Sequence, residues 1–283
     1  MRLAVLSGKG GTGKTLLSVN LAAAAEKATY VDCDVEEPNG HLYFPSGEKK
    51  RTPIYRMVPR VDPAACTGCR VCVDFCRFNA LAMIREKVTV FDQVCHSCGG
   101  CGDLCPSKAI SEDHVQIGEV SESMVGSVRI LSGEMRTKEA FGIPIIKNLF
   151  QKLNDQDTCV VIDCPPGSAC AVMESIRDAD VCLLVAEPTI FGAHNLNMVV
   201  KLAKLFHKPI GVVLNKCEDR ENPSEKYCID NAIPVIARIP FDQELAALHS
   251  EAKIAVTADQ KYRLLFEEIL KSMYALAEEG GAR

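Results

Sequence analysis

No apolar run in this 283-residue chain approaches the roughly 18 residues of a transmembrane helix. The N-terminus opens straight into MRLAVLSGKGG, which leaves no room for a secretion leader, and a cytoplasmic protein is expected. An excess of positive charge is also missing. Lys and Arg total 32 against 37 Asp and Glu, for a net charge of −5, so neither a nucleic acid nor a membrane is expected as partner. No low-complexity linker interrupts the chain. Its length suits one large domain or two modest ones, and 47% hydrophobic with 24% charged residues describes a globular protein. Disulfides are a poor expectation without a secretion signal, yet there are 15 cysteines. Eight of them fall between Cys66 and Cys105, which points to a metal site confined to one segment.

Outside that segment, strands and helices alternate. Apolar runs at 3–6, 29–31, 128–131, 159–162, 181–185, 210–214 and 235–239 read as strands. Helical patterns occupy 16–25, 138–153, 169–177, 193–206 and 262–277. This predicts an α/β fold with a mostly parallel sheet covered by helices on both faces. The insertion divides it into 1–52, the cysteine-bearing 53–118, and 119–283.

Residues 8–15 read Gly8-Lys9-Gly10-Gly11-Thr12-Gly13-Lys14-Thr15, which fits G-x-x-x-x-G-K-[ST] between a strand and a helix. Glycines there let backbone N–H groups approach phosphate oxygens at a helix N-terminus. Lys14 is placed to reach the β- and γ-phosphates and Thr15 to hold Mg²⁺. With its second lysine, Lys9, the loop resembles the deviant Walker A of the MinD/ParA/Mrp and nitrogenase iron-protein group. The resemblance continues in Asp32-Cys33-Asp34 running into Glu37-Pro38-Asn39, similar to switch I, and in Asp163 of DCPPGS, similar to Walker B and switch II.

The resemblance implies an ATPase working as a homodimer with ATP at the interface, where Lys9 stabilises charge in the partner subunit. It implies that Asp34 activates the attacking water and Asp32 lies near Mg²⁺. It also implies that Asn215 reads adenine, with Pro240, Phe241 and Asp242 as the second base-contacting segment. A GTPase would show N/T-K-x-D, whereas here the fourth residue is Glu218.

The cysteines repeat a pattern. Cys66, Cys69, Cys72 and Cys76 follow C-x2-C-x2-C-x3-C, and so do Cys95, Cys98, Cys101 and Cys105, the last followed by Pro106. This is the two-cluster bacterial ferredoxin spacing. Thiolates suit iron–sulfur clusters, and four-cysteine zinc sites more often show two separated C-x2-C pairs. The first three cysteines of a run wrap one cubane, and the fourth starts a helix and serves the other. Cluster 1 would take Cys66, Cys69, Cys72 and Cys105, and cluster 2 would take Cys95, Cys98, Cys101 and Cys76. His96, between two ligands, is expected to be a surface or hydrogen-bonding residue rather than a ligand. A ferredoxin unit begins and ends in strands that pair with each other, here 54–58 with 114–117, so it can be inserted without tearing the parent sheet. The whole chain resembles the MinD-superfamily ATPases with an inserted α+β ferredoxin domain.

Cys170, seven residues after Asp163, shares its offset with a cluster cysteine of the nitrogenase iron protein, and it is a candidate for an additional metal or dimer-bridging site. No second cysteine stands in 133–142, and no C-x2-C near the C-terminus. The reading adopted is an ATPase with Mg²⁺ and two 4Fe-4S clusters that acts in metal-cofactor or Fe–S assembly and delivery. Its partner would be a metalloprotein, an assembly protein or a paralogous ATPase. The alternative is ATP-gated electron transfer to a metalloprotein. A more remote one is a MinD/ParA-type positioning ATPase, for which the ending LAEEGGAR, with Lys271 alone nearby, lacks a basic membrane helix.

Overall fold

The computed structural model describes residues 1–45, 48–218 and 221–281. Ala282 and Arg283, the end of LAEEGGAR, lie outside them.

Five strands are short and almost wholly buried: β1 (Arg2–Leu6), β2 (Ala28–Asp32) and, later in the chain, β8 (Val160–Asp163), β9 (Val181–Ala186) and β10 (Ile210–Cys217). Their continuous apolar runs are what a parallel sheet buried on both faces requires. Between β2 and β8 come β3 (Lys50–Val61), the cysteine segment, β6 (Ile110–Val125) and β7 (Val128–Met135). With β11 (Val235–Pro240), nine strands form one sheet in the order β11-β10-β9-β1-β8-β2-β7-β6-β3. The order from β11 to β7 is parallel throughout, and β6 and β3 add to it antiparallel.

Helices α1 (Lys14–Ala24), α8 (Gln243–Ser250), α9 (Ala255–Ala258) and α10 (Gln260–Gly281) cover one face. Helices α4 (Ile143–Gln151), α5 (Cys170–Ile176), α6 (Ile190–Leu205) and α7 (Pro223–Asp230) cover the other. Successive residues of β1 show the division. Leu3 and Val5 pack with α1 and α10, and Ala4 and Leu6 with α4–α6, as the two-residue period of a strand dictates. No described helix is long and apolar enough to cross a membrane.

The α/β layering expected from the sequence is present, with three differences. The helix expected from 138 starts only at Ile143, because Pro144 fits a first turn and not an interior, and residues 136–142 are non-helical. The stretch leading to Asp62 is a 12-residue strand. It tolerates Pro53 and Pro59 because β3 is the sheet edge and pairs with β6 alone. Helices α7 and α8, short and weakly patterned, carry side-chain caps from Asn222 and Asp242.

β3 and β6 form a long ribbon whose pairing runs from Lys50↔Glu122 to Val61↔Ile110. Ile54–Val58 lies against 113–118 within it, the pairing expected of the segment's ends. Beyond Val61 the chain forms α2 (Val71–Phe75), a hairpin of β4 (Leu81–Ile84) and β5 (Lys87–Val90), and α3 (Gly100–Asp103) before returning in β6. The two cysteine runs repeat in backbone conformation as well as in sequence. Left-handed residues recur at matched positions: Gly68 with Ser97, Arg70 with Gly99, and Asn79 with Lys108. One expectation is corrected. Cys76 and Cys105 follow α2 and α3 rather than starting helices, since each run turns helical before its third cysteine and ends that turn at or just before its fourth.

Candidate functional site

The C-terminal ends of the parallel strands converge on a cleft of about 440 Å³. Gly10, Gly11, Gly13, Lys14 and Thr15 line it at the start of α1, with Asp34 from the β2 end and Asn215, Pro240, Phe241 and Asp242 opposite. Gly13 has φ of 99° and its missing side chain is replaced by the Asn215 amide, so only glycine serves there. Gly8 is likewise held against the backbone of Asn195. Asn215, buried at the end of β10, donates from Nδ2 to the Thr12 carbonyl at 2.7 Å. Thr12 Oγ1 is buried without a hydrogen-bond partner, an orphan that a bound phosphate or its water would satisfy.

Beneath the loop, Lys14 Nζ donates to Asp163 Oδ1 at 2.6 Å, and Tyr30 donates its hydroxyl to Asp163 Oδ2 at 2.8 Å. Burial pulls the Lys14 pKa down, but the carboxylates of Asp163, Asp34 and Asp32 together outweigh it and the net shift is upward. Asp32 accepts the Gly40 amide at 3.0 Å and the Asp34 amide at 3.2 Å. Its pKa is pushed well up by burial first and by Asp163 second. This is an environment that a divalent cation would relieve. Asp34 is partly exposed to the cleft and raised to about 6, chiefly by burial, with Lys14 opposing.

Three further residues escaped the sequence reading. Lys9 pairs with Glu187 at 2.5 Å, and Lys216 bridges the same carboxylate at 2.7 Å and the Gly11 carbonyl at 2.8 Å. Tyr30 was legible in principle, since it shares a strand face with Asp32 two residues on. Glu187 and Lys216 belong to no motif. Asp242, at the cleft wall, has its carboxylate occupied as the α8 cap and as acceptor for Tyr262.

These elements are those of a P-loop nucleotide site, and comparison with known proteins agrees. The model of the CobQ/CobB/MinD/ParA nucleotide binding domain matches residues 3–255. The chain belongs to this family. Uncharacterized protein MJ0578 of Methanocaldococcus jannaschii is 28% identical over 276 residues, covering 95% of this chain and 98% of that one. The septum site-determining protein MinD of Synechocystis is 21% identical over 292 residues, covering 99% and 87%. In fold, the chain is similar to MinD of Pyrococcus horikoshii solved with Mg-ADP, with a TM-score of 0.60, 20% identity and coverage of 98% and 97%. A MinD-like α/β NTPase is therefore the established description. The relatives with a named role are septum-site proteins, and this moves the positioning-type alternative ahead of cofactor assembly and of a nitrogenase-like reductase.

The cysteine segment forms a second candidate site. Cys66, Cys69, Cys72 and Cys105 line one cavity, and Cys76, Cys95, Cys98 and Cys101 line another. Among the described residues no three His, Cys, Asp or Glu side chains close on a single-ion position; the thiols stand around cavities instead. Backbone amides of Ala80, Ala109 and Ser97 donate to the sulfurs of Cys76, Cys105 and Cys95 at 3.3–3.4 Å. Ser97 Oγ is the other buried side-chain atom without a partner among the described residues, and Ser97 lines the second cavity. His96 is stacked on Phe78 with centroids at 3.6 Å and meets the tilted ring of Phe141 at 4.1 Å. Cys170 is exposed at the first turn of α5, away from both cavities.

Proposed function

We propose that this member of the MinD/ParA family is an ATP-hydrolysing dimeric switch that carries two 4Fe-4S clusters in residues 53–118. The observation that carries the cluster reading is the segregation of eight cysteines into two cavities of four, each drawing its fourth thiol from the other run. The donor set is all thiolate, the choice for iron–sulfur, and amide donors already point at three of the sulfurs. When bound, the clusters would supply one-electron transfer.

Within the ATPase, Lys14 and the loop amides hold the phosphates, Thr15 and Asp32 bind Mg²⁺, and Asp34 takes the proton of the attacking water. Lys14 must exchange its Asp163 partner for phosphate. For the output, the similarity to MinD favours positioning of a partner, and the two thiol cavities favour delivery of a metal cofactor, a cluster or an electron to a partner metalloprotein. The positioning reading gains from the similarity to MinD but leaves the two thiol cavities without a task.

Anaerobic reconstitution tests the cluster reading directly. About eight iron and about eight sulfide per chain are expected, with about four of each lost in Cys105→Ser or in Cys76→Ser. A full-length protein that is folded, hydrolyses ATP and retains no iron would leave only the positioning ATPase.

The raised pKa of Asp34 sets a pH dependence. A proton held up to about 6 inactivates the base at higher pH than an ordinary carboxylate would allow. The kcat/KM for ATP should therefore fall about tenfold per pH unit below that point. Asp34→Asn should lose about 100-fold or more in rate and flatten this limb. An unchanged acid limb in the variant would assign it to another group.

A further inference from the structure

The segment between β7 and α4, residues 136–142, touches both candidate sites. At one end the Met135 amide donates to the Val35 carbonyl at 2.8 Å. Gly133 and Gly142 make room for the Val35 side chain, since a Cβ on either would overlap it. Val35 directly follows Asp34, so this end is fastened to the switch I segment. Arg136 is fixed to the ribbon by its amide, which donates to the Ile117 carbonyl at 2.8 Å.

The middle of the segment lies on the second cysteine loop. Arg56, a buried cation on β3, donates to the Glu139 carboxylate at 3.2 and 3.3 Å. The same guanidinium donates to the carbonyls of Asp92 at 2.9 Å and Cys95 at 3.4 Å. Beside it, the Phe141 ring meets His96 at 4.1 Å, and His96 stands between Cys95 and Cys98. The first loop has no such tie. Among the described residues, no hydrogen bond, ion pair or ring contact joins residues 66–72 to the ATPase body.

We infer that residues 136–142 form a coupler through which the switch I segment acts on the second cavity and leaves the first unaffected, with Arg56, Glu139 and Phe141 as its positioning residues. The inference rests on the ATPase and cluster reading above. Its physical content is that Arg56 cannot change partners cheaply. A buried guanidinium that loses Glu139 is left uncompensated, so a shift of Val35 is passed to the Cys95 loop rather than absorbed. Cluster 2 becomes the nucleotide-sensitive centre and cluster 1 the insensitive one.

The test compares the reconstituted full-length protein with MgADP and with a non-hydrolysable MgATP analogue. Hydrogen exchange is followed in residues 8–16, 66–72 and 92–98, and both centres are titrated by EPR. Exchange at 92–98 is expected to change about tenfold between nucleotides and at 66–72 to stay constant. One centre should shift by ~59 mV, the one-electron equivalent of tenfold.

In Glu139→Gln and Phe141→Leu, the response at 92–98 should vanish while nucleotide protection of 8–16 persists, and Glu139→Asp should restore part of it. Equal responses at 66–72 and 92–98, or an unaltered response in both variants, would overturn the coupler. The two failures separate cleanly. A protein that binds no iron yet keeps residues 62–110 protected sinks the cluster reading, and its exchange at 92–98 still decides the coupler. Absence of protection at 8–16 removes the ATPase reading and the coupler with it.

Discussion

Lys14→Ala is expected to destabilise the nucleotide-free protein by about 3–5 kcal/mol, the range for stripping one partner from a buried ion pair. Lys14 is 7% exposed and Asp163 1%, and they meet at 2.6 Å. Without the ammonium, Asp163 keeps, among the described residues, only the Tyr30 hydroxyl as a side-chain donor, on a carboxylate held away from water. Replacing Asp163 as well, in Lys14→Ala/Asp163→Ala, removes the stranded charge and should recover part of the loss. Urea unfolding of the single and double variants gives the comparison. A single-variant loss below about 1 kcal/mol would mean that the pair is not made in solution. Nucleotide provides a second reading of the same substitution. The wild type should gain about 2.7 kcal/mol at a ligand concentration 100 times Kd, and Lys14→Ala should gain almost nothing.

The second large effect follows from the smallness of the cysteine segment's core. Its buried apolar cluster is Cys72, Ala80, Leu81, Cys95 and Cys101, so three of its five members are thiols assigned above to clusters. Leu81 is its one large aliphatic side chain that is buried outright, worth roughly 1.5–3 kcal/mol, with Val73, Val88, Val90 and Ile110 packed against it half-buried. That is far too little to order some fifty residues against chain entropy of about 1–2 kcal/mol each. On the cluster reading proposed above, the free energy of folding this unit comes mostly from its bound groups. Removing iron under anaerobic chelation should raise hydrogen exchange in residues 62–110 by about 100-fold or more, with β8, β9 and α1 unchanged. Retained protection in the iron-free protein would show that the unit folds without clusters.

The layers of the ATPase could be read from the sequence because runs such as VVI at 160–162 and VCLLVA at 181–186 have only one use, a strand covered on both faces. The phosphate loop was equally plain, since its chemistry is local and depends on glycine. What stayed hidden depended on distant neighbours. The full length of β3 and β6 was concealed by Pro53, Pro59, Glu112 and Asp113, residues that suit an edge or an exposed ribbon and not a buried strand. The late start of α4 came from one proline outweighing a favourable apolar pattern. Glu187 matters through Lys9 and Lys216, to which no spacing rule connects it. The coupler at 136–142 was hidden for the same reason. Its sequence, RTKEAFG, reads as a helix start, and its contacts lie on β3 and in the Cys95 loop.

The prolines of the outermost strands have a consequence for how copies of this chain can associate. β3 carries Pro53 and Pro59 at one rim of the sheet, and β11, at the other, is preceded by Pro234 and closes on Pro240. Pro53, Pro59 and Pro240 remove N–H groups from the two outermost strands, and the β-bulges at both rims bend what remains of the template. Backbone-to-backbone polymerisation is thus obstructed on either flank. With both edges blunted in this way, side chains rather than a shared strand are left as the means by which copies of this chain could recognise one another.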